Sequence, residues 1–295
     1  MRDRNRRSTL STKTARARQL SDVEESTQSD AAGVELIRGA VEQWQPAAVF
    51  ALFSGGHDSA TSTAIAARAG MTAAVHIHTG IGIPETREYV HETCRAQGWP
   101  LIEVRADTEY EQLVLDRGGF PSGPRSHSSM YWYLKQRPLD ALLRDTKRRR
   151  GDHIALVTGI RTSESVRRMG SGISVPIRRD DHCRVWVNPI LEWSALECSR
   201  YLAGAAVARS PVVDLLHRSG ECLCGALARA DELIELEHWY PEVAARIHRL
   251  EARARAAGLK HTRWADRRAW ADAVPLTLPM CASCEISTGH APPSG

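Results

Sequence analysis

The stretch Ser54-Gly55-Gly56-His57-Asp58-Ser59 carries the plainest chemical signal in this 295-residue chain. Two glycines between an apolar run and a helical pattern let backbone N–H groups approach an anion, and a helix N-terminus adds favourable potential. Hydroxyls at Ser54, Ser59 and Thr61 supply further donors, so the stretch is a candidate phosphate cradle. It is not the Gly-x-x-x-x-Gly-Lys-Ser/Thr type, which is absent. The competing reading is a glycine turn with no ligand. Further along, Gly159-x-Arg161-x-x-Glu164-Ser165-x-x-Arg168 offers two guanidinium forks, which suit either a polyanion or surface ion pairs. Two cysteine pairs, Cys222-Leu223-Cys224-Gly225 and Cys281-Ala282-Ser283-Cys284, form a second constellation. Four thiolates in two close pairs suit a tetrahedral zinc or a four-iron, four-sulfur cluster, with redox-active thiols and incidental cysteines as alternatives.

Something must bring these groups together. Ala47 to Phe53 is an unbroken apolar run and reads as a buried strand, and Asp58 to Arg68 reads as the helix after it. Ala73–His78 and Leu101–Arg105 read as further strands, separated by a helix from Thr86 to Gln97. A helix holding Leu134, Leu139, Leu142 and Leu143 follows, then strands at His153–Thr158 and Arg184–Val187. Such alternation predicts an α/β fold, a doubly wound parallel sheet, with ligands beyond the carboxyl ends of the strands. Each motif sits at such an end: Ser54–Ser59 after the first strand, His78-Thr79-Gly80 after the second, Gly159-Ile160-Arg161 after the fourth. Beyond residue 205 strand signals fade, and Leu227–Glu237 and Tyr240–Ala257 read as helices, so the C-terminal region is expected to be mainly helical. The expected organisation is a basic tail over 1–32, a nucleotide-binding domain over 33–205 and a helical region over 206–295 holding the cysteine pairs.

The formal net charge of +4 is concentrated at one end. Arg2, Arg4, Arg6, Arg7, Lys13, Arg16 and Arg18 face Asp3 alone in the first twenty residues, leaving the rest slightly acidic. That segment lacks apolar periodicity and reads as disordered, a solvated tail or an arm for nucleic acid or another acidic partner, with an organelle-targeting presequence as a further reading. No apolar stretch reaches membrane-spanning length and no signal-peptide core follows the N-terminus, so a cytoplasmic protein without a membrane partner is expected. Cys94, Cys183 and Cys198 fall in helix or strand patterns and are expected to be core thiols.

Ser-Gly-Gly-x-Asp-Ser after a strand resembles the pyrophosphate-binding loop of the N-type ATP pyrophosphatases and adenine nucleotide alpha hydrolases. That superfamily includes the PAPS reductases, the tRNA-thiolating enzymes and the ATP pyrophosphatase of DNA phosphorothioation. Thr79-Gly80-Ile81-Gly82-Ile83-Pro84-Glu85-Thr86 resembles the segment that borders the nucleotide in PAPS reductases and their relatives. Lys135-Gln136-Arg137-Pro138-Leu139 resembles the family's Lys-x-x-Pro-Leu element, and Asn188 to Ser194 its Pro-Ile/Leu-x-x-Trp segment, where Ser194 should cap a helix and Trp193 should pack. The run from Gly159 to Arg168 resembles its Gly-x-Arg-x-x-Glu/Gln-Ser-x-x-Arg signature.

The resemblance implies ATP with Mg²⁺ bound by Ser54, Gly55, Gly56, His57, Asp58, Ser59, Thr79, Glu85, Gly159, Arg161 and Arg168. It implies Asp58, Arg161 and Lys135 as the catalytic set. Asp58 would orient the loop or approach the metal, against a competing role as cap of its own helix. It also favours a 4Fe-4S cluster, or zinc, on Cys222, Cys224, Cys281 and Cys284. The expected activity is cleavage of ATP to AMP and pyrophosphate to activate an acceptor, with nucleic acid as acceptor and a sulfur-donor protein such as a cysteine desulfurase as partner. Sulfonucleotide reduction to sulfite is the alternative, and a non-catalytic nucleotide-sensing subunit a third. Reductases need a nucleophilic cysteine in Glu-Cys-Gly-x-His, whereas this chain reads Cys284-Glu285-Ile286-Ser287-Thr288-Gly289-His290. His57 stands where lysine is common, and Ser128-Ser129 where cluster-bearing reductases carry a Cys-Cys pair.

Overall fold

Parallel strands buried on both faces must be apolar throughout, and the first strand, β1 (Ala48–Leu52), is. The computed structural model describes residues 30–122, 124–164, 175–226, 228 and 231–266. The expectations for the tail to residue 29, for Ser165 and Arg168, and for Cys281 and Cys284 lie outside the described residues. A first helix, α1, covers 30–44, and α2 (His57–Arg68) leaves β1 through the glycine turn. Then come β2 (Ala73–His78), α3 (Pro84–Gln97), β3 (Leu101–Arg105), α4 (Tyr110–Asp116), α5 (Pro124–Tyr131) and α6 (Arg137–Thr146). After β4 (Ile154–Val157) follow β5 (Ile177–Arg179), β6 (Arg184–Val187), α7 (Ala195–Gly204), α8 (Pro211–Leu216), α9 (Glu232–Trp239) and α10 (Pro241–Ala256).

The sheet order is β3-β2-β1-β4-β6-β5, and every pairing is parallel except β5 with β6. The chain winds outward from β1 to β3, then returns to place β4 on the other side of β1. The strand order therefore reverses between β1 and β4, the point where open α/β sheets leave a crevice. Strand period two sorts the core into two layers. Val49, Ala51 and Phe53 pack with Ile65, Val90 and Leu202 on one face, while Ala48 and Phe50 pack with Leu139 and Leu143 on the other. A third apolar cluster joins Ile81, Ile83 and Tyr110 to Val212, Leu223 and Leu250, so the later helices pack against the loop after β2.

Four details differ from the sequence expectations. The antiparallel β5 has no apolar run, because Arg178 and Arg179 occupy a short edge strand, where charge discourages pairing with another sheet. Cys94 and Cys198 are buried in the core, but Cys183 is half-buried at the β5–β6 turn with φ +58°. Leu134 lies in a π-helical turn, Trp132–Gln136, that runs into α6. The first C-terminal helix starts at Glu232, later than its apolar pattern suggests. Ser194 caps α7 through a reciprocal capping box with Glu197, and Trp193 packs edge-on against Tyr201, both as expected.

Candidate functional site

At the end of β1, Gly55 turns the chain with φ +82°, and a Cβ there would lie 2.7 Å from Thr86 Cγ2. Only glycine satisfies both demands. Gly56 is the N-cap of α2 and offers no side chain, so the first-turn N–H groups stay open toward the crevice. The serines shape the turn from within. Ser59 Oγ donates to Gly56 O at 2.9 Å, and Ser54 Oγ donates to Ser59 Oγ at 3.1 Å. Asp58 does not cap the helix. Its Oδ2 instead accepts an ion pair from Arg161 Nε at 2.9 Å, which links the β4 end to the first turn of α2. Gly159 permits that approach, since a Cβ there would sit 2.6 Å from the backbone of Asp58 and Ser59.

These pieces wall a cavity of about 360 Å³, within the range of small-ligand sites. Ser54, Gly56, His57, Asp58, Ser59 and Arg161 line its polar side. Leu52, Val75, Ile77, Ile160 and Val213 give it an apolar wall. Lys135 joins them from the π-helical turn and is buried at 5 % exposure, which excludes the ordinary reading of an exposed helix lysine. Burial and the nearby Arg209 guanidinium hold the His57 pKa below its ordinary value, against weaker opposition from Asp214 and Asp58.

Not every expected residue reaches the cavity. Thr79 is buried and committed to Glu221: its N–H donates to Glu221 Oε1 at 2.8 Å and its hydroxyl to Glu221 O at 2.5 Å. Glu85 is exposed in the first turn of α3, where a carboxylate complements the helix dipole. Cys222 and Cys224 lie in the loop after Glu221, half-buried and buried respectively. Tyr110 Oη donates to Cys224 O at 3.0 Å, and Trp264 Nε1 donates to Leu223 O at 2.8 Å, which fixes that loop from both sides.

Sequence reasoning missed the contribution of residues 209–221. Arg209, Asp214, His217, Arg218, Ser219 and Glu221 all line the cavity. Behind Glu221 lies His76, fully buried, with its Nε2 3.1 Å from Glu221 Oε2. Burial opposes charge on that ring, but Glu221 and the Phe53 carbonyl hold its pKa above the ordinary value. The His-x-His alternation on β2 was the available signal, since i and i+2 share a strand face.

A model of the phosphoadenosine phosphosulfate reductase domain family matches residues 48–219, more than half of the chain, and the chain belongs to that family. Its matched span covers the sheet, the glycine turn and the Arg161-bearing end of β4, and stops just before Glu221 and the Cys222–Cys224 loop. Among solved structures, the chain is similar to phosphoadenylyl-sulfate (PAPS) reductase from Candida auris, solved as a phosphate complex. The two are 17 % identical, with a TM-score of 0.48, over 62 % of this chain and 84 % of that one. No curated protein matches the chain significantly. Among the described residues, no helix is long and apolar enough to cross a membrane.

Proposed function

We propose that the chain binds ATP at the β1–β4 crevice and cleaves it between the α and β phosphates, activating an acceptor for sulfur transfer. The observation that carries this reading is the intact Ser54–Ser59 turn opening onto the cavity at the start of α2. Open backbone donors at that turn suit a pyrophosphate leaving group, whose negative charge grows as the bond breaks. The apolar wall of Leu52, Val75 and Ile77 suits a purine. In this reading an acceptor oxygen attacks the α phosphorus, the bond to the bridging oxygen breaks, and pyrophosphate departs. Sulfide then displaces AMP from the adenylylated acceptor, or a persulfide displaces it and a second thiol reduces the resulting disulfide to free the thiolated product. Lys135 and Arg161 stabilise phosphate charge, and Arg161 is held in place by Asp58. Mg²⁺ would arrive largely on the phosphates, with Asp58 and Asp214 as the carboxylates at hand. Nucleic acid is the proposed acceptor, and a cysteine desulfurase the proposed sulfur donor.

Cys222 and Cys224 have soft donors two residues apart in a loop braced by Tyr110 and Trp264, which suits zinc or a cluster edge. With Cys281 and Cys284 they would complete a tetrahedral set for a 4Fe-4S cluster or zinc, supplying electron transfer or a structural clasp.

The family's name favours a second reading, reduction of a sulfonucleotide to sulfite. The two reactions part cleanly in one assay pair. Metal-replete protein should release pyrophosphate from ATP when an acceptor is present, and no sulfite from PAPS with thioredoxin. The opposite pattern would transfer the assignment to the reductase.

A further inference from the structure

Three buried atoms with no hydrogen-bond partner converge beside the cavity: His76 Nε2, His78 Nδ1 and Glu221 Oε2. From this juxtaposition we propose that His76, His78 and Glu221 hold a transition-metal dication of the zinc or ferrous class. The site is distinct from the cysteine pairs and independent of the reaction assigned above.

The argument starts from the strand. His76 and His78 are two residues apart on β2 and share a face, with rings stacked at 6.5 Å between centroids. His76 Nδ1 lies 2.9 Å from Phe53 O, and a carbonyl oxygen only accepts, so Nδ1 carries the proton. In the neutral ring Nε2 is then a lone pair, and it points at a carboxylate 3.1 Å away. Two electron-rich atoms at that distance repel unless a cation lies between them. A protonated His76 would relieve that pair alone, leaving His78 Nδ1 unsatisfied at 3.8 Å from Glu221 Oε1, too far for a hydrogen bond. One dication satisfies all three atoms at once.

The donor set has the right chemistry. Two imidazoles and one carboxylate are the ligands of many catalytic zinc and non-haem iron centres, which leave at least one position for water or substrate. The three ligand atoms lie within 4.8 Å of one another. Tetrahedral zinc sets ligand atoms roughly 3.3 Å apart. The His76–Glu221 separation already matches, and rotation of the half-buried His78 ring closes the rest.

Both supporting interactions expected around such ligands are in place. The Phe53 carbonyl orients His76 through its other ring nitrogen, the usual arrangement for a metal-bound imidazole. The Thr79 N–H and hydroxyl fix Glu221 by its side chain and its carbonyl. Gly82 lies so close that a Cβ would meet Glu221 O at 2.6 Å, and Ile83 N donates to Gly220 O at 2.9 Å. Glu221, distant in sequence, is thus pinned against the strand that carries both histidines. Glu221 also lines the cavity, so the ion would sit just behind the cavity wall, on the face of β2 opposite Val75 and Ile77.

Cobalt(II) titration of chelator-stripped full-length protein tests the site, because thiolate ligation adds intense near-ultraviolet charge-transfer bands that nitrogen and oxygen ligands lack. We expect one cobalt bound with visible d–d absorption and no thiolate band in the Cys222→Ser/Cys224→Ser protein. In that background, His78→Asn and Glu221→Gln should each weaken binding at least about tenfold. Zinc should raise the melting temperature of the Cys222→Ser/Cys224→Ser protein and leave it unchanged when His78→Asn is added to that protein. If the serine protein fails to fold, the same spectral separation is read on the native chain, as a nitrogen/oxygen component lost in His78→Asn. Absence of that component from folded protein, or equal cobalt affinity in parent and His78→Asn, overturns the proposal and leaves a metal-free histidine–carboxylate pair.

Discussion

Arg161 Nε meets Asp58 Oδ2 at 2.9 Å, with the two side chains only 10 % and 17 % exposed. This pair closes the gap between β4 and the first turn of α2, at the point where the strand order reverses. It also gives Asp58 a positioning task that a helix cap would not supply.

The pair should therefore behave as one unit. Asp58→Asn and Arg161→Met are each expected to destabilise the fold by roughly 1–3 kcal/mol, because each breaks a largely buried charge-assisted contact. The double variant should cost less than the sum, with a coupling energy of about 0.5–3 kcal/mol in urea denaturation. Strict additivity would mean the contact contributes nothing.

Gly159 tests how closely β4 must approach α2. A Cβ at 2.6 Å from Asp58 and Ser59 backbone atoms cannot be absorbed by side-chain rotation, so Gly159→Ala must push the helix start away. A loss of about 1–3 kcal/mol is expected from such overpacking, with nucleotide affinity falling at the same time. Gly204→Ala is the control, as its Cβ meets nothing within 4 Å, and it should be neutral or slightly stabilising.

His57 should be neutral near pH 7, since burial and Arg209 lower its pKa. Below pH 6.5 the unfolded chain then binds the proton more readily than the folded one. Ligand-free stability should accordingly fall as pH drops through that window, and less steeply in His57→Asn. Nucleotide affinity should move the other way, rising with acidity as imidazolium forms beside the phosphates. His57→Lys should keep turnover and bind ATP with little dependence on pH between 6 and 8, because an ammonium with a pKa near 10.4 stays charged there. Loss of turnover in a folded His57→Lys protein would assign the imidazole a proton-transfer task.

Glu103, which does not line the cavity, supplies an acid-side test. Burial resists its ionisation, yet the Arg87 fork and His91 hold its pKa down to about 2. A depressed carboxylate stabilises the fold above its ordinary 4.5 and loses that contribution as pH falls toward 2. The stability gap between the parent protein and Glu103→Gln should therefore shrink steadily below pH 4.5 in thermal melts.

The cysteine loop has an analytical signature. Anaerobically purified protein should contain sulfide with iron, or zinc beyond the ion held by His76, His78 and Glu221, and Cys222→Ser should remove that share. Unchanged metal content would exclude Cys222 as a ligand.

Five strands were readable: β1 and β4 are unbroken apolar runs, as parallel strands buried on both faces must be, and β2, β3 and β6 are short, carry Val or Ile and are bounded by turn residues. β5 was not readable: Ile177-Arg178-Arg179 pairs only on one side and carries charge instead of periodicity. The glycine turn was legible because glycine, serine and aspartate at a strand-to-helix junction have few other uses. Lys135 could be named but not placed, since its burial depends on a π-helical turn that no local pattern specifies. Glu221 was invisible, because its partners His76 and Thr79 lie far away in sequence and only the fold joins them.

Ser219 and Glu221 form part of the cavity wall, and Cys222 and Cys224 follow with almost no intervening chain. Gly220, at φ +68° and pressed against Ile83, leaves this short span no slack. It works as a stiff lever with a nucleotide pocket at one end and thiols at the other. On the function proposed above, a metal held by Cys222 and Cys224 would bias the wall of the pocket, and by reciprocity a filled pocket would alter how readily those sulfurs hold it.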